Sequence, residues 1–521
     1  MGISIELGWY KNLTVLCISS KVDRSVALSV QICEKLSMFF NQSRIHHWKL
    51  KAQELFGIDL RSLAIFRISI ALIIIVDLIG RFTDLEAHYT NRGVLPIDEV
   101  IEHSPKWRVS VHLLNGSIEF QAALFIIAGL FAVALLLGYR TRLVTPVVWL
   151  LTISVNSRNW LLMQGGDYLL CLLLFWGMFL PLGARYSIDH LRTPDQFQES
   201  NLIFSGGTVA ALLQICFVYW FSVALKLPKN WIIRGTGVYY ALMLDRYVTN
   251  FGKLLLESPP LLLKFLTYAT IGLETFGPLL AFSPLFSGPV RCLVILSFII
   301  FHFIMGRALE LGLFTYICMA SWLLFVPSWF WGQFLGKFKT PVQGVYSPMR
   351  EQAAWKNLLA IFFLIYVLMW NLRTVYPSLF FPRAVQSIGH TLRLDQWWGL
   401  FRGPSRNDGW HVIVGKLQDG TQVNLLNPDR TVSWEKPELV VAIHKNHRWR
   451  RWFRSLMFKE DYARYLCQHW NETHTGEKQI TSLKIYYLHE RNYLNRRVSQ
   501  PRKELLLHYT CDYISQEVQP R

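Results

Sequence analysis

The sequence is short of charge. Only 17% of its 521 residues are Asp, Glu, Lys or Arg, against about 25% in an ordinary soluble domain. It is shortest of acid: 35 acidic residues face 53 basic ones, leaving a formal net charge of +18. Nucleic-acid binding is one source of such basicity, but no nucleic-acid module is present, which leaves positive loops facing anionic lipid as the simpler source. There is no CxxC pair among the eight cysteines, so neither a zinc site nor a redox pair is indicated. Cys171, Cys216, Cys292 and Cys318 lie inside apolar runs, where a reduced thiol acts as a small hydrophobe. No internal repeat or low-complexity tract is evident, and residues 1–50 do not form a clear signal peptide. The interleaved "KVDRSVALSVQICEKLSMFF" reads instead as a cytoplasmic or surface-lying amphipathic segment.

What the sequence has in excess is hydrophobic residues, at 52%. Apolar runs long enough to cross a bilayer recur through the first three quarters of the chain. About nine candidate spans lie near 62–81, 118–138, 143–157, 167–185, 208–227, 261–283, 290–308, 309–331 and 355–373. The long stretch 290–331 breaks at "GRALELG" and reads as a helical hairpin. From residue 385 no run can span. "GWHVIVGKLQDGTQVNLLNP" alternates around Asp419-Gly420, a hairpin signal. "RWRRWFRSLMFKEDYARYLCQHW" has helical spacing, and "SLKIYYLHERNY" reads as a strand. The expected architecture is an α-helical polytopic membrane protein with a C-terminal α+β extramembrane domain. It divides into an N-terminal segment 1–55, a transmembrane bundle 56–375, the domain 385–500 and a loose tail 501–521. Lys and Arg are plentiful in residues 1–61, which favours a cytoplasmic N-terminus.

Charges inside spans are costly and therefore informative. Arg67 sits in the first span, and Asp77 and Arg81 follow at a spacing that lets them pair on one helix face. Asp167 opens the fourth span as a helix cap, with Gly165 and Gly166 beside it permitting close backbone approach. Glu274 is mid-span, to be protonated or paired with a cation. His302, Arg307 and Glu310 cluster in "FHFIMGRALELGLF": Arg307 and Glu310 can pair locally, and His302 is either a structural group or a proton shuttle. Lys226, near the end of "FVYWFSVALKLPKNWII", has two readings. Its four methylenes can let the amine snorkel to the interface, or burial can make it a base for an acidic hydroxyl. The basic aromatic stretch Arg448–Arg454 reads either as a headgroup contact or as a solvated helix face.

Several of these stretches, in one order, resemble a known family. "SLAIFRISIALIIIVDLIGRFTDLEAHYTNRGVLP", "QGGDYLLCLLLFWGMFLPLGARYSID", "YWFSVALKLPKNW", "FHFIMGRALELGLFTYICMASWLLFVP" and the later "DGTQVNLLNP" resemble the HTTM proteins. These horizontally transferred transmembrane domain proteins are bacterial relatives of vitamin K-dependent gamma-carboxylase. The resemblance implies that Lys226, five residues before Trp231, matches the lysine that deprotonates vitamin K hydroquinone, and that His302, ten residues before Gly312, matches a histidine of the same family. It implies a carboxylase-like enzyme with catalytic Lys226, His302 and Asp167. The pocket candidates are Arg67, Gly165, Gly166, Glu274, Arg307 and Glu310, and no metal is expected. Reduced vitamin K or another quinol would be the co-reactant. The carboxylase has an asparagine–histidine pair where this chain reads Gly165-Gly166. A non-enzymatic maturation factor, binding an exported peptide or protein client, is therefore the second reading, and a transporter the third. The resemblance also implies the cell membrane as the location, with the C-terminal domain extracytoplasmic.

Overall fold

The computed structural model describes residues 50–105, 107–193, 201–335, 345–346 and 354–511. The expected amphipathic segment 1–55 lies almost entirely outside the described residues. Nine helices occupy the nine expected spans: α1 Leu60–Phe82, α2 Ile118–Leu137, α3 Thr141–Arg158, α4 Gly165–Gly177, α5 Gly206–Leu225, α6 Pro260–Leu280, α7 Ser287–Ala308, α8 Phe314–Trp322 and α9 Ala354–Val375. Local signals set their ends. Asp59 caps α1 through the Arg61 N–H, Ser117 caps α2, and Ser205 forms a capping box with Thr208 at α5. Gly138, at φ +69°, ends α2 in the left-handed conformation that costs glycine least.

The count of nine crossings is not confirmed. Among the described residues, five helices are long and apolar enough to cross a membrane: α1, α2, α5, α7 and α9. A sixth span arises if Asn250–Leu256 and α6 count together, across a 112° bend. α4 has 13 residues, about 20 Å of helix against a hydrocarbon core of about 30 Å. α8 is shorter still, and α3 is too polar. α3 is polar because it is packed inside the protein. Arg158 at its end is fully buried and donates to the carbonyl oxygens of Tyr89, Thr90 and Leu95. An apolar run has the same composition whether lipid or protein surrounds it, so run length in the sequence does not by itself fix the number of crossings. The protein is nevertheless a multi-pass membrane protein.

α5 is the central helix, with 67% of its apolar window buried. It packs against α4, α6 and α9. α2 is peripheral and presents Ile126, Leu130 and Val133 outward, as a lipid-facing helix does. α7 and α8 form the expected hairpin. A three-stranded sheet of two-residue strands, in the order Ile58–Asp59, Leu202–Ile203, Val345–Tyr346, ties the loops at one end.

After α10 (Arg383–Leu392) comes the C-terminal domain, with strands β1 Asn407–Leu417, β2 Gln422–Asn424, β3 Ile480–Arg491 and β4 Arg502–Thr510. They form one antiparallel sheet in the order β2-β1-β3-β4. The Asp419-Gly420 hairpin is present, with Gly420 at φ +89°. The helical stretch splits into α11 His447–Ser455 and α12 Lys459–Thr473, because Leu456 turns left-handed. Ile413 and Ile485, paired in register, meet Trp452, Phe453 and Tyr462 in the domain core. One expectation fails here. Residues 502–510 are a strand rather than part of a loose tail, and residues 512–521 lie outside the described ones. Cys467 and Cys511 also form a disulfide across 44 residues, which no local motif announces.

Where this domain meets the loop after the short helix Gly237–Leu242, Lys436 sits between Asp245 and Glu490, at 2.6 and 2.5 Å. Burial pushes Glu490 up to about 7 and Asp408 up to about 6. Their ordinary values are 4.5 and 3.8, so the folded chain holds more protons than the unfolded chain between those limits. This contribution to stability is full below the unfolded values and is lost as pH rises through the folded ones. Burial acts oppositely on His411 and His444, held neutral at about 3 and about 4. Their contribution is full above the unfolded value and is lost as pH falls. The expected result is that Glu490→Gln flattens the fall in melting temperature between about pH 4.5 and 7. An unchanged slope in a pH series of thermal melts would remove Glu490 as its source.

Candidate functional site

Helix α5 stops at Leu225 because Pro228 follows, and the residue before a proline disfavours the helical conformation. Lys226 is the C-cap, and residues Lys229–Ile233 then make one wide turn closed by the Arg234 N–H on the Lys229 carbonyl. That turn folds Trp231 back so that its ring lies 4.9 Å from the Lys226 amine. Gly237 makes room for it, since a Cβ there would come 2.5 Å from the indole ring. The amine donates to Ser222 Oγ, one turn earlier, at 2.8 Å and to the Glu274 carboxylate of α6. The side chains of this ion pair are 4% and 9% exposed. Lys226 does not snorkel: it is buried and paired. Glu274 is likewise not a lone carboxylate.

His302 of α7 is buried, and its Nε2 lies 2.8 Å from the Tyr219 hydroxyl. Tyr219 accepts the Trp322 indole N–H at 2.8 Å. Because an indole N–H only donates, the tyrosine proton is free to go to the histidine. Phe298 stacks on Trp322 at 4.1 Å and fixes this chain of groups.

Lys226, Glu274, Ser222, Trp231, Tyr219 and His302 all line one cavity of about 710 Å³. Its wall is mostly apolar and aromatic, with a few polar groups, the usual make-up of a site for a lipid-soluble molecule. The start of α4, the ends of α5 and α9, α6, α7, the segment 390–401 and α11 all contribute to it.

The model of the HTTM domain matches residues 57–329. The chain belongs to the HTTM domain family. This makes it a membrane protein of the gamma-carboxylase-related family. The match ends before α9, so the cavity is closed partly by segments outside the HTTM domain. No curated protein and no solved structure matches the chain.

Within the HTTM bundle, several sequence candidates fall elsewhere. Asp167 is not on the cavity wall. It caps the Gln164 N–H at 2.8 Å and joins a buried ion cluster. Arg81 holds Asp77 at 2.7 Å and Asp167 at 2.8 Å, and Arg448 holds the same two carboxylates at 2.5 and 3.0 Å. Arg67 is also off the wall. Its guanidinium donates to the carbonyl oxygens of Leu182 and Tyr186, joining α1 to the loop after α4. Gly165 lines the cavity, but Gly166 packs on α8, where a Cβ would lie 3.1 Å from Phe314 Cα. Arg307 is exposed and makes no ion pair with Glu310, whose carboxylate instead accepts the Gly312 N–H.

The stretch Arg448–Arg454 neither lies on lipid nor faces water throughout. α11 is seated in the bundle, with Arg448, Arg450 and Trp452 buried. Gly312, at φ +61°, makes the seat: a Cβ would come 2.7 Å from the His447 ring. Sequence reasoning missed Ser222, Tyr219 and the pair His390–Asp395. The (i, i−4) spacing of Ser222 and Lys226 was an available signal. Nothing local marks the other two.

Proposed function

We propose that this HTTM protein is a membrane enzyme in which Lys226 takes a proton from a hydroxyl of a quinol, or of a comparable lipid-soluble substrate. One observation carries the reading: the amine is buried against a carboxylate on the wall of a large apolar cavity. An anchoring lysine would have its head in water.

The Lys226–Glu274 pair has two neutral proton arrangements, ammonium with carboxylate and amine with carboxylic acid. In the second the amine is a free base. When it takes a substrate proton, the pair becomes ammonium with carboxylic acid, and the new oxyanion lies beside the ammonium. No net charge is created in the cavity, which is what a low-dielectric site requires. The Trp231 face and Ser222 Oγ steady the ammonium as it forms. Such an oxyanion is the first requirement of a carboxylase-like reaction with reduced vitamin K. The disulfide Cys467–Cys511 supports an extracytoplasmic position for the C-terminal domain, since disulfides persist in oxidising compartments. The seating of α11 in the bundle leaves little of the basic stretch free for a client, so we favour the enzyme over the maturation factor.

The test is to incubate the detergent-purified protein with reduced vitamin K and oxygen and to assay epoxide. Lys226→Ala is expected to lower the rate by about 10²–10⁴-fold. Absence of epoxide from folded protein, or an equal rate from the variant, overturns the reading.

A further inference from the structure

The chemistry at Lys226 leaves a second polar constellation on the same cavity wall unused. His390, in the last turn of α10, has its Nδ1 3.0 Å from Asp395 Oδ2. Trp107 stacks on the imidazole at 4.4 Å with 14° between planes, and Trp370 meets it at 5.0 Å and 90°. Trp370 is itself held, its indole N–H donating to the Gln396 carbonyl at 3.2 Å. Asp395 is 8% exposed. A carboxylate at Nδ1 keeps the proton there and leaves Nε2 with a lone pair. Among the described residues, none hydrogen-bonds Nε2.

The segment from Arg393 to Arg402 ties this pair to the lysine. Near its start Asp395 orients His390. Gln396 Oε1 accepts from both Gln214 and Trp398, which fixes the middle. At its end the Phe401 carbonyl accepts the Trp231 indole N–H at 2.9 Å, and the Arg402 carbonyl accepts the Leu227 N–H at 2.8 Å. Leu227 adjoins Lys226, and Trp231 covers its amine. Two acid–base pairs, Lys226–Glu274 and His390–Asp395, are thus held on one cavity by one braced strip of chain.

We propose that His390 and Asp395 form a second substrate subsite that selects a hydroxyl over a carbonyl, and so the dihydroxy form of a quinol over its dione. The inference rests on the quinol reading above and extends it to the second oxygen of the substrate. With its proton on Nδ1, His390 can accept at Nε2 but cannot donate there. A hydroxyl satisfies it; a carbonyl oxygen would set lone pair against lone pair. Asp395 is the positioning residue, acting through the imidazole.

The test measures binding of 1,4-naphthalenediol and of 1,4-naphthoquinone to the full chain in detergent, without oxygen, by quenching of tryptophan fluorescence. The wild-type protein is expected to prefer the diol by about 10–100-fold. His390→Gln, whose amide can donate or accept, narrows that ratio. Asp395→Asn donates to Nδ1, moves the imidazole proton to Nε2 and narrows or reverses it. Asp395→Asn is expected to shift the ratio in a Lys226→Ala background as well. If Asp395→Asn does not fold, His390→Gln decides. Both ligands binding, Lys226→Ala weakening the diol, and no shift with either substitution at the second pair would overturn the subsite and leave the lysine reading standing. No binding of either compound would remove both.

Discussion

Arg448→Met is expected to lower the stability of the folded protein by about 3–5 kcal/mol, the usual cost of stranding buried charge. In the intact cluster two guanidiniums, Arg81 and Arg448, share two carboxylates, Asp77 and Asp167, all less than a tenth exposed. Removing Arg448 leaves both carboxylates to Arg81 alone. It also cuts the ion pairs between α11 and the bundle, where Arg450 and Arg451 keep hydrogen bonds to the Glu310 and Met163 carbonyls and Arg450 lies over the Tyr247 ring. Thermal unfolding in detergent is the measurement. The double variant Arg448→Met with Asp167→Asn restores charge balance and should recover most of the loss. Arg448→Lys keeps the charge but loses the fork that reaches two carboxylates, and should fall between. If the single and double variants melt alike, charge imbalance is not the cause.

The second large effect is at the cavity. Lys226→Met strands the Glu274 carboxylate in an apolar wall, and about 3–5 kcal/mol should again be lost. Lys226→Met with Glu274→Gln should melt within about 1–2 kcal/mol of wild type, because well-packed neutral groups often replace a buried pair at little cost. Both proteins should be inactive. This cycle separates the roles of the pair: stability returns with neutrality, and proton transfer does not. A double variant as unstable as the single one would show that the fold needs the lysine for something other than charge.

These two sites show where local pattern stops being informative. The Asp419-Gly420 hairpin, the strand at 480–491 and the α7–α8 hairpin were legible because turn chemistry and side-chain period act between neighbours in the chain. The Asp77–Arg81 pair was legible for the same reason, at one helical turn. Glu274 lies 48 residues from Lys226, and Arg448 lies 371 from Asp77. No period connects them. Their partners are chosen when helices pack, so the sequence shows a costly charge without showing what offsets it. The same limit produced the misplacement of Asp167, which lies next to Gly165 and Gly166 in the chain yet turns to the ion cluster while Gly165 turns to the cavity.

Composition and run length alone established a multi-pass helical membrane protein followed by a domain that cannot span. Motif order alone brought it to the HTTM family and singled out Lys226. Three things waited for tertiary structure: how many apolar helices are long enough to cross, whether the lysine faces water or a cavity, and which segments close that cavity. Each depends on what surrounds a side chain, and burial is a property of the packed chain rather than of any stretch within it. A lysine followed by Leu-Pro can snorkel or be a base. The carboxylate brought to it by α6 and the indole folded over it by the turn after Pro228 make it the buried member of a pair.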